Sequence, residues 1–354
     1  MKKVIIILLA AYNLTSCAQK KQQPKVINSS IENISMIPIS EKYNHITAKN
    51  FVDEMTKNVT HFKKEPRYFI RPIQTNCVFE VLVNGVLAYK DYTIEKLSSP
   101  KSINHTILKS GPQTVTIRMF PVGDAIKEAY GKGETITTLQ RNSDVSIKVV
   151  KYDAFNISDE LEDEIIVLQH NSPTNEATDN FLGDGLPYYE YTFTFNAEVP
   201  YELEGWNKGE DLTKFDKDEL EAAVVKYYKN YQSIYKKKDE NLLAKTTFGD
   251  ILILAQSKYN TRKEIQGMWD EMKGNLQHID KDFGVFDNYV LNFYGNNKLI
   301  VLRHPSLEPV DYRSRGESAF WYKHIVGDRI KGFFSSIYVY IPKGGTLKDL
   351  RRLD

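Results

Sequence analysis

Residues 77–92 read CVFEVLVNGVLAYKDY, and the pair Asn84-Gly85 at their centre decides how they fold. Asn-Gly tolerates the positive φ angles of a type I′ turn, whose twist matches two antiparallel strands, so a tight hairpin is expected. Period-two alternation places Cys77, Phe79, Val81 and Val83 on one face of its first strand. The same period runs outward from Tyr68 to Val199, with strands predicted at Ile107–Leu108, Thr114–Phe120, Val145–Val150, Ile165–Leu168 and Tyr188–Val199. In TVTIRMF, Val115, Ile117 and Met119 alternate against Thr116 and Arg118, so one face is buried and one is wet. Tyr191, Phe193 and Phe195 repeat the device. Seven or eight short strands separated by Gly, Pro, Ser and Asn clusters predict an antiparallel β-sandwich over residues 32–204. Within that span ISMIPI reads as a short strand broken by Pro38, and Thr47 precedes a short amphipathic helix in AKNFVDEM. The run SDELEDE at 158–164 reads as a surface turn, and EATDNFLGDGLP at 176–187 as a loop.

At residue 205 the period changes. GWNKGEDLTKFD is a connector, and Asp216 with Glu219 has the form of a capping box. Leu220, Val224, Tyr227, Tyr231 and Ile234 then lie on one helical stripe. Residues 241–259 predict a second helix bent at Gly249, and Thr261 with Glu264 caps a third that carries Ile265, Met268, Trp269 and Met272. Strands return in NYVLNFYGNNKLIVLRHP, with a hairpin at Gly295-Asn296-Asn297, and in SAFWYKHI and GFFSSIYVYIP. The expected fold class is therefore multidomain: the sandwich, then an α+β domain over 205–354 with three helices and a curved antiparallel sheet. This element order resembles the nuclear-transport-factor-like cone fold over residues 213–345. The resemblance implies helices closing over the sheet and leaving a pocket.

The chain carries 47 basic and 46 acidic residues, a balance that excludes the strong basic excess of a nucleic-acid binder. Seven histidines are scattered without the local spacing of a zinc site, and no Gly-rich phosphate loop or nucleophile elbow occurs, so no metal, cofactor or catalytic residue is expected. The acidic cluster in GEDLTKFDKDELE fails the spacing of a calcium loop and suits helix capping. The candidate ligand-binding group is Tyr294, Arg303, His304, Trp321 and Tyr322 on adjacent strands, since polar groups among aromatics can fix a ligand in a pocket. Alternation separates Trp321 and Lys323 from Tyr322 and His324, and the alternative use of these residues is to fill a core. In the strand-rich part, Tyr188, Tyr189, Tyr201 and Trp206 are candidates for a sugar-stacking platform.

At its start the chain reads MKKVIIILLAAYNLTSC: two lysines, an apolar run from Val4 to Ala11, and small residues before Cys17. The run is too short for a spanning helix, which needs about 20 apolar residues. Leu14-Thr15-Ser16-Cys17 resembles the lipobox of bacterial lipoproteins. That resemblance implies a signal peptide at 1–16, cleavage before Cys17, acylation of its thiol and, for residues 17–31, a flexible polar tether. It leaves Cys77 as the one remaining thiol, which excludes an internal disulfide and suits a small buried hydrophobe. The expectation is a membrane-anchored cell-envelope protein on the periplasmic side that binds a partner protein or glycan without catalysis. The alternative is a small-ligand receptor or enzyme using the aromatic group.

Overall fold

The computed structural model describes residues 37–94, 99–153, 164–278, 282–284, 288–306 and 314–353. The expected signal peptide and tether, Cys17 included, lie outside the described residues, as do the first part of ISMIPI and all of SDELEDE except Glu164. In chain order the first elements are α1 (Phe51–Asn58), β1 (Pro66–Thr75), β2 (Val78–Val83), β3 (Val86–Asp91), β4 (Lys101–Ser102), β5 (Gly111–Phe120) and α2 (Ala125–Tyr130). Then come β6 (Asp144–Asp153), β7 (Ile165–His170), β8 (Tyr189–Ala197), α3 (Lys217–Lys237), α4 (Glu240–Ser257) and α5 (Arg262–Gln277). The last are β9 (Asp282–Phe283), β10 (Val290–Tyr294), β11 (Leu299–Arg303), β12 (Trp321–Val326), β13 (Arg329–Phe334), β14 (Val339–Tyr340) and β15 (Arg351–Arg352). The protein is thus β-rich and α+β, with several antiparallel sheets.

Asn84 and Gly85 adopt φ of 51° and 74°, and Val83 pairs with Val86, so β2 and β3 form the tight hairpin that the dipeptide predicts. These strands belong to a sheet of order β3-β2-β5-β8, and a second sheet has the order β4-β1-β6-β7. The inward residues of both sheets, among them Phe79, Val81, Ile117, Phe193, Ile70 and Ile147, form one apolar cluster. Cys77 belongs to it, and burial pushes its thiol up to about 12, so it acts as a small apolar side chain. Ile107 and Leu108 are buried but follow a 3-10 turn, Asn104–Thr106, and form no strand. The turn intervenes because the Asn104 side chain ties it down between β1 and α4.

A second cluster gathers α3, α4 and α5 with the C-terminal strands. Asp216 caps α3 through the amides of Asp218 and Glu219, Asp239 caps α4, and Thr261 with Glu264 forms a complete capping box on α5. The stripe on α3 is wider than predicted, since Val225, Tyr228 and Tyr235 are buried as well. Tyr228 fastens the helix to the strands, donating to the Ile337 carbonyl at 2.7 Å and accepting from the Leu302 amide at 3.0 Å. α4 is one continuous helix, Glu240–Ser257, through buried Gly249.

Two arrangements differ from the sequence reading. GFFSSIYVYIP is divided between two sheets, β13-β12-β9 and β10-β11-β14-β15, where a single curved sheet was expected. An isolated bridge between Arg303 and Ser318 links the two sheets. Secondly, α1 packs with the late helices and not with the strands that follow it. Phe51 stacks on Trp269 at 4.4 Å and meets Phe248 edge-on at 5.5 Å. Its cap is Asn50, whose side chain accepts the Thr47 amide at 2.7 Å.

Both clusters lie in one compact unit, Asn33–Asp354, and several close contacts join them. The β2–β3 turn meets the β10–β11 turn, where the Gly295 amide donates to the Gly85 carbonyl at 2.8 Å. A side chain at Gly295 would strike the Trp206 ring at 2.6 Å, so this position requires glycine for space as well as for its φ of 57°. Fully buried Asn104 accepts from the Tyr68 amide and donates to the carbonyls of Pro66 at 3.0 Å and Ser257 at 2.9 Å.

Asn104→Leu strands one backbone donor and two acceptors, each costing about 1–3 kcal/mol when buried. Urea unfolding is therefore expected to show a loss of several kcal/mol, against a negligible change for the exposed Asn58→Ala. The neighbouring His105 gives a pH signature. Its Nδ1 is buried without a partner among the described residues, and burial, reinforced by Lys258, pushes its pKa down to about 4. An unfolded histidine titrates near about 6.5, so the native state binds fewer protons between these values. Its contribution is full above about pH 6.5 and is lost as pH falls toward about 4, on the order of 3 kcal/mol in all. His105→Gln is expected to flatten that part of the stability profile.

Candidate functional site

Every residue of β2 is buried, on both faces. Phe79 and Val81 belong to the cluster shared with β1, β5, β6 and β8, whereas Leu82 belongs with Val86 and Leu87 to the helix-lined one. Glu80 lies on this second side, a carboxylate only 7% exposed in the middle of the molecule. Such a charge needs partners, because an unpaired buried carboxylate is expensive. Tyr92 donates its hydroxyl to Glu80 Oε1, and that phenol oxygen lies 3.1 Å from Ser306 Oγ. Arg118 Nη1 stands 3.6 Å from Glu80 Oε2 while its Nε donates to Glu190 at 2.8 Å. Burial and then the charge of Glu80 push the Tyr92 phenol far above its ordinary range, so it stays a donor.

Lys90 pairs in register with Glu80 but turns to the C-terminal half, reaching Glu317 at 2.5 Å and the Arg315 carbonyl at 3.2 Å. Burial pulls its ammonium below the usual lysine range, with Glu317 opposing. Arg315 in turn holds Glu128 of α2 with two bonds, the longer 2.9 Å. These groups form a polar seam between the β2-centred sheet and the described residues 303–306 and 314–317. The sequence signal for it is the second face of VFEVLV: Val78 and Leu82 are apolar, so Glu80 is the single polar residue on a face that expects cover.

The five candidate residues fall in three places. Arg303 sits 5.6 Å above the Tyr294 ring and donates to the Gly316 carbonyl at 2.7 Å and to the Tyr338 hydroxyl at 3.1 Å. His304, on the opposite face, meets Trp321 edge-on at 6.4 Å. Its Nδ1 lies 2.8 Å from the Asn288 carbonyl, which only accepts, so Nδ1 carries a proton and donates there. His304 Nε2, Trp321 Nε1 and Arg303 Nε are all buried without a hydrogen-bond partner among the described residues. Tyr322 is apart from both groups, fully buried against Tyr235 and Phe283 and donating to the Asn275 carbonyl at 3.1 Å. The residues therefore line no common cavity. A recess does open between Pro38–Tyr43, Lys245 and Arg351–Leu353, and none of the five lines it.

The proposed sugar platform is dispersed as well. Tyr201 and Trp206 are buried in different clusters, Tyr189 packs at the margin of one, and Tyr188 alone of the four is exposed. Among the described residues no three His, Cys, Asp or Glu side chains are placed to hold a metal ion. In the acidic connector Asp211 and Asp216 cap the segments that follow them. No protein-family model matches the chain, and neither a curated protein nor a solved structure does.

The seam predicts a specific coupling. Tyr92→Phe removes a hydrogen bond to a charged acceptor, worth about 1.5–3 kcal/mol. The same substitution in a Glu80→Gln background is expected to cost clearly less, a non-additivity that a double-mutant cycle of chemical unfolding would measure.

Proposed function

We propose that this chain is a bacterial lipoprotein, cut before Cys17, acylated on that thiol and held at the periplasmic face of the cell envelope by the tether 17–31. Its body is a non-catalytic binding module that engages another envelope protein. The observation that carries the reading is Leu-Thr-Ser-Cys directly behind a lysine-led apolar run. Each buried methylene contributes about 0.8 kcal/mol, so two or more acyl chains hold a folded body stably where one would not. Among the described residues no helix is long and apolar enough to cross a membrane. The same reading takes the sheets β3-β2-β5-β8 and β4-β1-β6-β7 as a β-sandwich, supported by their shared apolar cluster, and α3–α5 with the C-terminal strands as a cone-like α+β part.

A protein ligand is favoured over a glycan by two features. Two of the four aromatic candidates for sugar stacking are buried. The edge strand β7 also exposes Ile165 and Ile166 on opposite faces, at 56% and 57%. An edge that no described strand covers, with apolar side chains, suits addition of a partner's strand, where backbone bonds give affinity and side-chain pockets give specificity.

Cys17→Ser is expected to move the protein from the membrane to the soluble fraction, and mass spectrometry of the parent to give a mature chain starting at an acylated Cys17. Retention of an unmodified thiol would sink the assignment. For the binding reading, cross-linking in intact cells should yield an adduct that Ile166→Lys reduces at least roughly ten-fold, the cost of leaving one lysine desolvated at an apolar contact.

A further inference from the structure

The β12–β13 hairpin presents a surface that the packing does not use. Cross-strand partners share a face, so Trp321 with Phe334, Lys323 with Gly332 and Ile325 with Ile330 lie on one side. The other side is seated on the core: Tyr322 is fully buried, and His324 stacks on His278 at the end of α5 at 4.5 Å. On the outer side Ile325 and Ile330, directly paired, are 57% and 73% exposed. Behind this tip Trp321 stacks on Phe334 at 5.7 Å, and Lys323 Nζ lies 5.5 Å from the Trp321 ring.

The fixed charges of the hairpin are Lys323 on the outer side, Arg329 and Lys331, exposed on the opposite side near the tip, and Asp328 in the turn, a cationic excess flanking the tip on a chain that is otherwise nearly neutral. An exposed isoleucine pair at a tip, cations around it and an aromatic pair at its base match the order of a bilayer surface met edge-on. Acyl chains take the aliphatic tip, anionic headgroups the cations, and the interfacial layer the aromatic rings. A soluble partner would have to supply an apolar socket with an acidic rim, whereas an anionic bilayer has both.

We infer that the β12–β13 hairpin is a membrane-contact surface that seats Ile325 and Ile330 among anionic lipids. This contact is separate from acylation at Cys17, and it orients the body against the bilayer that the tether merely keeps near.

The test uses the full chain carrying Cys17→Ser and Asp328→Cys, with an environment-sensitive fluorophore on the thiol at 328. The one other thiol, Cys77, is buried and held protonated, so labelling is selective. Vesicles of phosphatidylcholine with one-quarter phosphatidylglycerol are expected to shift the emission to the blue. Pure phosphatidylcholine or high salt should weaken apparent binding roughly ten-fold, as headgroup attraction is lost or screened. Adding Ile325→Ser and Ile330→Ser should abolish the shift while near-ultraviolet circular dichroism stays unchanged. No shift on anionic vesicles, or a shift that survives both serine substitutions, overturns the inference. So does a blue shift that grows with protein concentration without lipid, which would mark the tip as a contact between copies. None of these outcomes bears on whether Cys17 is acylated, so the two proposals fail separately.

Discussion

A single strand without a wet face governs the molecule. β2 contributes Phe79, Val81 and Val83 to one apolar cluster and Leu82 to the other, so neither cluster closes without it. Alternation normally lets an antiparallel strand show polar residues to water. Here the C-terminal half covers that side, and the one carboxylate caught beneath the cover is neutralised by Arg118 and by the hydroxyl of Tyr92. The seam around Glu80 is the electrostatic consequence of stacking one half on the other. Its cross-links to Glu317, Arg315 and Ser306 fix the register of that stacking, which apolar contact alone would leave free to slide.

What was legible in the sequence is local. Asn84-Gly85 encodes its turn in two residues, the α3 stripe repeats within a few turns, and Thr261 with Glu264 states a helix start in four residues. What was not legible depends on partners far along the chain. Ile107 and Leu108 look like strand residues, but Asn104 just upstream is spent on carbonyls of β1 and α4, which bends the chain into a turn. GFFSSIYVYIP is uniformly strand-like, and nothing within it tells that its two halves join different sheets.

The candidate group Tyr294, Arg303, His304, Trp321 and Tyr322 illustrates the same limit. Their types and their adjacency on strands were readable, and so was the separation of Trp321 from Tyr322 by alternation. Whether a lid or a core faces them was not. The guanidinium of Arg303 is committed to Gly316 and Tyr338, and Tyr322 to helix α5, so their chemistry is turned inward to hold elements together. Glu80 sits between apolar Val78 and Leu82 on a face that expects cover, but what covers it comes from segments more than two hundred residues downstream.

The placement of α1 has a consequence for biogenesis. Chains emerge amino end first, and Phe51, Val52 and Met55 appear before any of the helices that will shelter them. Until α4 and α5 follow, this greasy ridge has no native counterpart, and the intervening sheets must be made with it still uncovered. Such a nascent intermediate is a natural client for holding chaperones. Phe248 and Trp269 then recapture this early segment, which closes the polypeptide into a loop that spans the intervening strands.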